Sequence, residues 1–201
     1  MTDFLANFQA GPAGQLETLV DLPKDGVRGL ALVAHPHPLF GGTMHNKVTQ
    51  TLAKSFVRLG CASVRMNFRG VGASDGTFDE GRGETADWLA LLAHFRRQWP
   101  DGPLFLSGFS FGAYVMSEVA RQATCHRLVM VGAAVGHFPL GTVPRSTLLI
   151  HGEKDTTITL DQVMRWAEPQ DLSVVVIPGA DHFFHHRLGI IQEWTTLACR
   201  F

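Results

Sequence analysis

Apolar and polar positions along this chain follow two alternating rhythms. Short runs are apolar almost throughout: "LALVA" (30–34), "CASVRM" (61–66), "PLFLSG" (103–108), "RLVMVGAAV" (127–135), "TLLIH" (147–151) and "LSVVVI" (172–177). Their length and near-continuous hydrophobicity predict strands covered on both faces. Longer segments between them repeat at helical spacing. "NKVTQTLAKSFVRLG" puts Val48, Leu52, Phe56 and Leu59 on one stripe and stops at Gly60, a residue suited to a helix C-terminus. "ETADWLALLAHFRRQWP" carries Trp88, Leu91, Leu92 and Phe95 and closes at Pro100. "FGAYVMSEVARQ", "LDQVMRWAEP" and "HRLGIIQEWTTLA" supply three more helices. Strand alternating with helix predicts an α/β fold, a mostly parallel twisted sheet with helices on both faces. The earlier "LETLVDL" (16–22) is amphipathic and predicts an antiparallel edge strand. In such sheets ligands bind beyond the carboxyl ends of the strands, so the loops there are the places to look for chemistry.

Composition narrows the picture. The chain has 201 residues, 45% of them hydrophobic and 17% charged, which predicts one globular domain over 1–201 with a full core. The fourteen phenylalanines fall mainly in strand and helix patterns and read as core. A formal net charge of −1 gives nucleic acid or an anionic membrane surface no electrostatic footing. The N-terminal "MTDFLANFQAGPAGQ" lacks the basic start and apolar core of a secretory signal, and no apolar run spans a bilayer. Cys61, Cys125 and Cys199 are odd in number and scattered, reading as buried or free thiols. Together these features predict a cytoplasmic protein. No C-x-x-C pair offers zinc its thiolates, so no metal is expected.

One motif carries chemistry. Gly108-Phe109-Ser110-Phe111-Gly112 joins an apolar run to an amphipathic helix. Gly-x-Ser-x-Gly at that kind of joint is a nucleophile elbow, in which a strained turn pushes the serine hydroxyl out over the sheet edge. Glycines on either side let strand and helix approach closely. A serine hydroxyl needs a general base, and the base an orienting acid, in the chain order Ser, Asp or Glu, His. No Asp or Glu lies between His126 and Gly152. Of the first two beyond it, Asp155 lies further into its loop than Glu153, which is expected to face solvent. The base is expected after the last strand. His182 follows the Pro178-Gly179 turn directly, whereas His185 and His186 fall into the final helical pattern and read as surface residues.

A tetrahedral intermediate also needs two N–H donors. The amide of Phe111, next after Ser110, is one candidate. The other lies in "AHPHPLFGGTMHN" after the first buried strand: Leu39 or Phe40, with Leu39 favoured. Pro36 and Pro38 stiffen this loop, and His35 and His37 read as loop-shaping hydrogen-bonders, not metal ligands. "NFRGVGASDG" has the wrong glycine spacing for a dinucleotide loop, and Arg69 is expected to tie it down. "GGTMHNK" is not a P-loop.

With these residues in view, the chain resembles the α/β-hydrolase superfamily, and within it the small bacterial hydrolases of the dienelactone-hydrolase-like branch. "GFSFG", "HGEKD", "GADHFF", "FRGVGAS" and "HPHPLFGG" stand in family order, and the likeness covers about residues 16–200. It implies a serine hydrolase without a cofactor, and its "LFG" supports Leu39 as donor. Dienelactone hydrolases proper use cysteine where this chain has Ser110, so their substrate is not implied. Many relatives insert a cap domain where this chain has only "GHFPLGTVPRS", so no cap and an open, shallow site are expected. The expected substrate is a small-molecule acyl compound. Carboxylesterase leads thioesterase, amidase and peptidase, and a non-catalytic scaffold with a retained hydrolase fold is the alternative from another class.

Overall fold

The computed structural model describes residues 4–201. Residues 1–3, the start of the segment scanned above for a secretory signal, lie outside the described residues. Eight strands form one sheet: β1 (Phe4–Gly11), β2 (Gly14–Asp21), β3 (Gly29–Ala34), β4 (Cys61–Met66), β5 (Leu104–Phe109), β6 (Arg127–Val131), β7 (Leu148–Gly152) and β8 (Val174–Ile177). Their spatial order is β1-β2-β4-β3-β5-β6-β7-β8. From β4 to β8 every neighbour pairs in parallel, while β2 runs antiparallel to both β1 and β4. "LETLVDL" is therefore antiparallel as expected but is not an edge. β1 covers it, and its sequence, FLANFQAG, lacks the strict alternation and the continuous apolar run that mark the other strands.

Five helices cover the sheet: α1 (Lys47–Arg58), α2 (Arg82–Gln98), α3 (Phe111–Ala120), α4 (Leu160–Ala167) and α5 (Leu188–Ala198). They divide the core into two layers, one on each face. Trp88, Leu91 and Phe95 of α2, Val115 and Val119 of α3, and Val163 of α4 bury themselves against one face. Leu52 and Phe56 of α1, with Ile191 and Cys199 at the α5 end, cover the other. The two-sided cover explains why β3, β4 and β5 are buried at every position. Asn46 caps α1 by accepting from the amides of Val48 and Thr49, and Gly60, at φ 88°, turns the chain out of that helix. Phe8, Phe40, Phe183 and Phe201 are exceptions to the expectation of buried phenylalanines, being exposed.

β6 ends at Val131, four residues before its apolar run does, because Gly132 takes φ 51° and carries the chain off the sheet. Residues 136–146, between β6 and β7, form no helix or strand, so nothing caps the sheet edge there. Chain order reverses between β3 and β5: β3 leads outward to β4, then the chain returns to β5. The loops after β3 and β5 diverge at that switch point, which opens a crevice at their carboxyl ends.

Candidate active site

β5 passes into α3 through a single residue, Ser110, held at φ 55° and ψ −118°. A non-glycine residue in that region is strained, and its neighbours show how the strain is kept. A Cβ on Gly108 would lie 2.2 Å from the carbonyl oxygen of Gly112, and one on Gly112 would lie 2.5 Å from that of His35. Strand, turn and helix pack backbone to backbone, which only glycine permits at both places. The Ser110 amide donates to the Val131 carbonyl at 2.9 Å, so the elbow is also tied to β6.

Residues separated by most of the C-terminal half meet at this serine. Asp155 stands in the loop after β7, and its Oδ1 accepts from the amides of Thr157 (2.9 Å) and Ile158 (2.8 Å). Its Oδ2 lies 2.7 Å from His182 Nδ1. Burial opposes ionisation of this carboxyl, but the bonds from His182 and the Ile158 amide outweigh it and hold the group below the usual carboxylate range. An ionised carboxylate only accepts, so Nδ1 carries the hydrogen. Nε2 is left as an acceptor, and the Ser110 hydroxyl lies 3.1 Å from it. His182 and Asp155 are 7% and 4% exposed, whereas Ser110 is only half-buried, so the hydroxyl alone faces outward.

His182 is seated by its surroundings. Its ring lies 5.0 Å from that of Phe109, and a Cβ on Gly132 would come within 3.4 Å of its Cε1. Glu153 is exposed as expected, and it also accepts from the Gly179 amide at 2.8 Å, joining the two loops that carry Asp155 and His182. His185 and His186 are surface residues, but they precede α5 instead of belonging to it. Phe184 (φ 54°) and His186 (φ 60°) both take left-handed backbone, which stops the helix from starting earlier.

His151 was not singled out by the sequence. It sits on β7, buried, with Nε2 donating to the Ile158 carbonyl at 2.9 Å and lying 3.6 Å from Asp155 Oδ2. Burial pushes its pKa down, so a neutral ring backs the carboxylate. The readable signal was its position four residues before Asp155.

The first-turn amide of Phe111 heads α3 and has no partner within that helix. Leu39 lies in a short 3₁₀ turn, Pro38–Phe40, and its amide donates to His37 Nδ1 at 3.2 Å. The Phe40 amide donates to the His37 carbonyl. His37 thus caps this turn, and its ring packs at tilted angles among Phe40, Phe78, Phe111 and Phe138. Buried His35 anchors the same loop. Its Nδ1 donates to the Pro36 carbonyl and its Nε2 accepts from the Phe68 amide, and burial pushes its pKa down to about 3. Arg69 ties its loop down as expected, through two bonds of 2.8 and 2.9 Å to Asp87 of α2.

The matches to known proteins agree with this geometry. The model of the family described as serine aminopeptidase S33 matches residues 37–145, more than half of the chain. An uncharacterized protein of Rickettsia prowazekii is 33% identical over 192 residues, covering 88% of this chain and 81% of that one. The crystal structure of a Xanthomonas campestris α/β serine hydrolase without a lid superposes at a TM-score of 0.92, with 36% identity over 98% of this chain and 94% of that one. An α/β serine hydrolase homologue from Coxiella burnetii superposes at 0.90, with 38% identity over 99% and 98%. The chain belongs to the serine aminopeptidase S33 family and is a lidless serine hydrolase of the α/β-hydrolase superfamily.

Proposed function

We propose that this hydrolase is a carboxylesterase that cleaves small or extended acyl esters through an acyl-enzyme on Ser110. The observation that carries the reading is the continuous path from Ser110 Oγ through His182 to Asp155, with bonds of 3.1 and 2.7 Å. His182 Nε2 takes the serine proton as Oγ attacks the acyl carbon. Asp155 keeps the imidazole in the tautomer that can accept, then stabilises the imidazolium. The Phe111 amide and the Leu39 amide hold the oxyanion, the latter giving up its long bond to His37. The imidazolium protonates the departing alcohol, and water repeats the sequence on the acyl group.

The uncapped edge at 136–146 supports open access for short or extended chains. The test is a series of p-nitrophenyl esters of graded length, followed for a burst of nitrophenol and for turnover. Cleavage that disappears in Ser110→Ala supports the reading. Turnover that survives that substitution refutes it.

A second reading follows from the family description. An aminopeptidase must hold a free α-amino group, and Glu80 lines a cleft beside the site together with Phe78, Tyr114 and Phe138. Arg82 lines the same cleft and competes for that carboxylate. Aminoacyl p-nitroanilides assayed beside the esters separate the two. Preference for the anilides would replace the esterase reading.

A further inference from the structure

We propose that the cleft between α1 and the loop entering α5 is a subsite for a carboxylate or phosphate carried by the substrate. This rests on the carboxylesterase reading above. The cleft has a volume of about 870 Å³. Its walls are residues 43 and 45–48 on one side and 183–186, 188 and 189 on the other, with Gly41 at one end. Both walls begin at the reaction centre. Phe183 directly follows His182, and its ring lies 5.3 Å from that imidazole. Gly41 directly follows the turn that holds Leu39. A group attached to an ester bound at Ser110 can therefore pass from the scissile bond into this cleft.

The cleft is apolar below, with one lysine and three histidines at the rim. Val48 and Phe184 are buried in its walls, and His45, Lys47, His185 and His186 line it, with no Asp or Glu among the lining residues. The carboxylate beside it, Asp181, is already bound to both the amide and Nδ1 of His185. Lys47 is exposed and makes no ion pair among the described residues. It occupies the first position of α1, whose first turn holds no acid, and a cation there is disfavoured by the helix dipole. The fold therefore places a free positive charge where helix stability argues against one.

The walls are rigid, as a recognition site requires. Between the lining residues Thr43 and His45, buried Met44 donates its amide to Asn67 Oδ1 at 2.8 Å and its carbonyl accepts from Arg65 Nη1 at 2.9 Å. Arg65 is itself fixed by a buried ion pair with Asp21 at 2.8 Å. Opposite, Phe184 is fully buried in left-handed backbone. The substrate that fits is an ester with an apolar stretch beside the scissile bond and an anion beyond it.

The test compares p-nitrophenyl butyrate with three anionic esters. These are mono-p-nitrophenyl glutarate, with a carboxylate on the acyl part, 4-acetoxybenzoate, with a carboxylate on the leaving group, and 4-acetoxyphenyl phosphate. Wild type is set against Lys47→Gln and Lys47→Glu, both well tolerated at a first helical position, where Glu is favoured by the dipole. For at least one anionic ester, kcat/KM relative to the butyrate should fall about threefold in Lys47→Gln and about tenfold in Lys47→Glu. The difference should shrink at high salt. The ester that responds identifies the anion and the side of the bond that carries it. Ratios that stay within about twofold for all three esters in both variants overturn the subsite while leaving the carboxylesterase reading intact. Butyrate turnover no greater than in Ser110→Ala removes the carboxylesterase reading and the subsite with it.

Discussion

Replacing Asp155 with Asn changes one charge and almost no volume. The Asn carboxamide oxygen can take over the bonds that Oδ1 now accepts from the Thr157 and Ile158 amides, at 2.9 and 2.8 Å. Doing so turns its NH₂ toward His182 Nδ1, 2.7 Å away in the wild type. Two donors cannot face each other, so the imidazole must place its hydrogen on Nε2. That nitrogen then confronts the Ser110 hydroxyl as a donor and cannot take its proton. Loss of the accepting tautomer predicts a fall in kcat of about 10⁴, or roughly 5.5 kcal/mol of transition-state stabilisation, with little change in KM. Stability should hold, because both loop amides keep an acceptor. Asp155→Ala makes the contrast: it orphans those amides and should also cost roughly 1–3 kcal/mol of stability for each. The assay is steady-state hydrolysis of a p-nitrophenyl ester, paired with urea unfolding of both variants. A loss below about tenfold in kcat for Asp155→Asn would refute the tautomer reasoning.

Other outcomes follow from the same structure. Gly108→Ala drives a Cβ to 2.2 Å from the Gly112 carbonyl oxygen, backbone that cannot yield, and should destabilise by about 3 kcal/mol; an unchanged urea midpoint would contradict the packing of the elbow. Arg69→Ala leaves the fully buried carboxylate of Asp87 without its cation and should cost about 3–5 kcal/mol, read as a lower midpoint. Burial depresses the pKa of His35 from its ordinary 6.5 to about 3 in the folded protein, so the unfolded chain binds the extra proton between those values. Its contribution to stability is present above pH 6.5 and is lost as pH falls toward 3, by as much as about 5 kcal/mol. Urea midpoints that stay level from neutral pH down to pH 4 would contradict this. With no cap over residues 136–146, activity on a lipid-like ester should pass smoothly through its micelle point, and a sharp rise there would contradict open access.

How far the chain could be read in advance depended on the range of the forces involved. β4 was legible to the residue because "CASVRM" is apolar where both faces are covered and is bounded by Gly60. Ser110 was legible because a strained elbow needs glycines at fixed offsets. Asp155 and His182 were legible because the stretch before Glu153 holds no rival acid and His182 is the first histidine after β8. β1 was not legible. It is held by pairing with β2, and pairing leaves no mark in a strand whose apolar residues follow no regular period. The early end of β6 turns on the backbone of one glycine, Gly132, which an apolar run disguises. The bond from the Leu39 amide to His37, and the place of His151 behind Asp155, come from side-chain directions that spacing does not encode.

The central claim is that Ser110, alone among the hydroxyls of the described residues, is activated by His182. Its most direct test is to treat the protein with a fluorophosphonate and map the adduct by mass spectrometry. The account predicts one adduct, on the peptide containing Ser110, formed far more slowly in His182→Ala. No adduct, an adduct on another residue, or undiminished labelling in His182→Ala would contradict it.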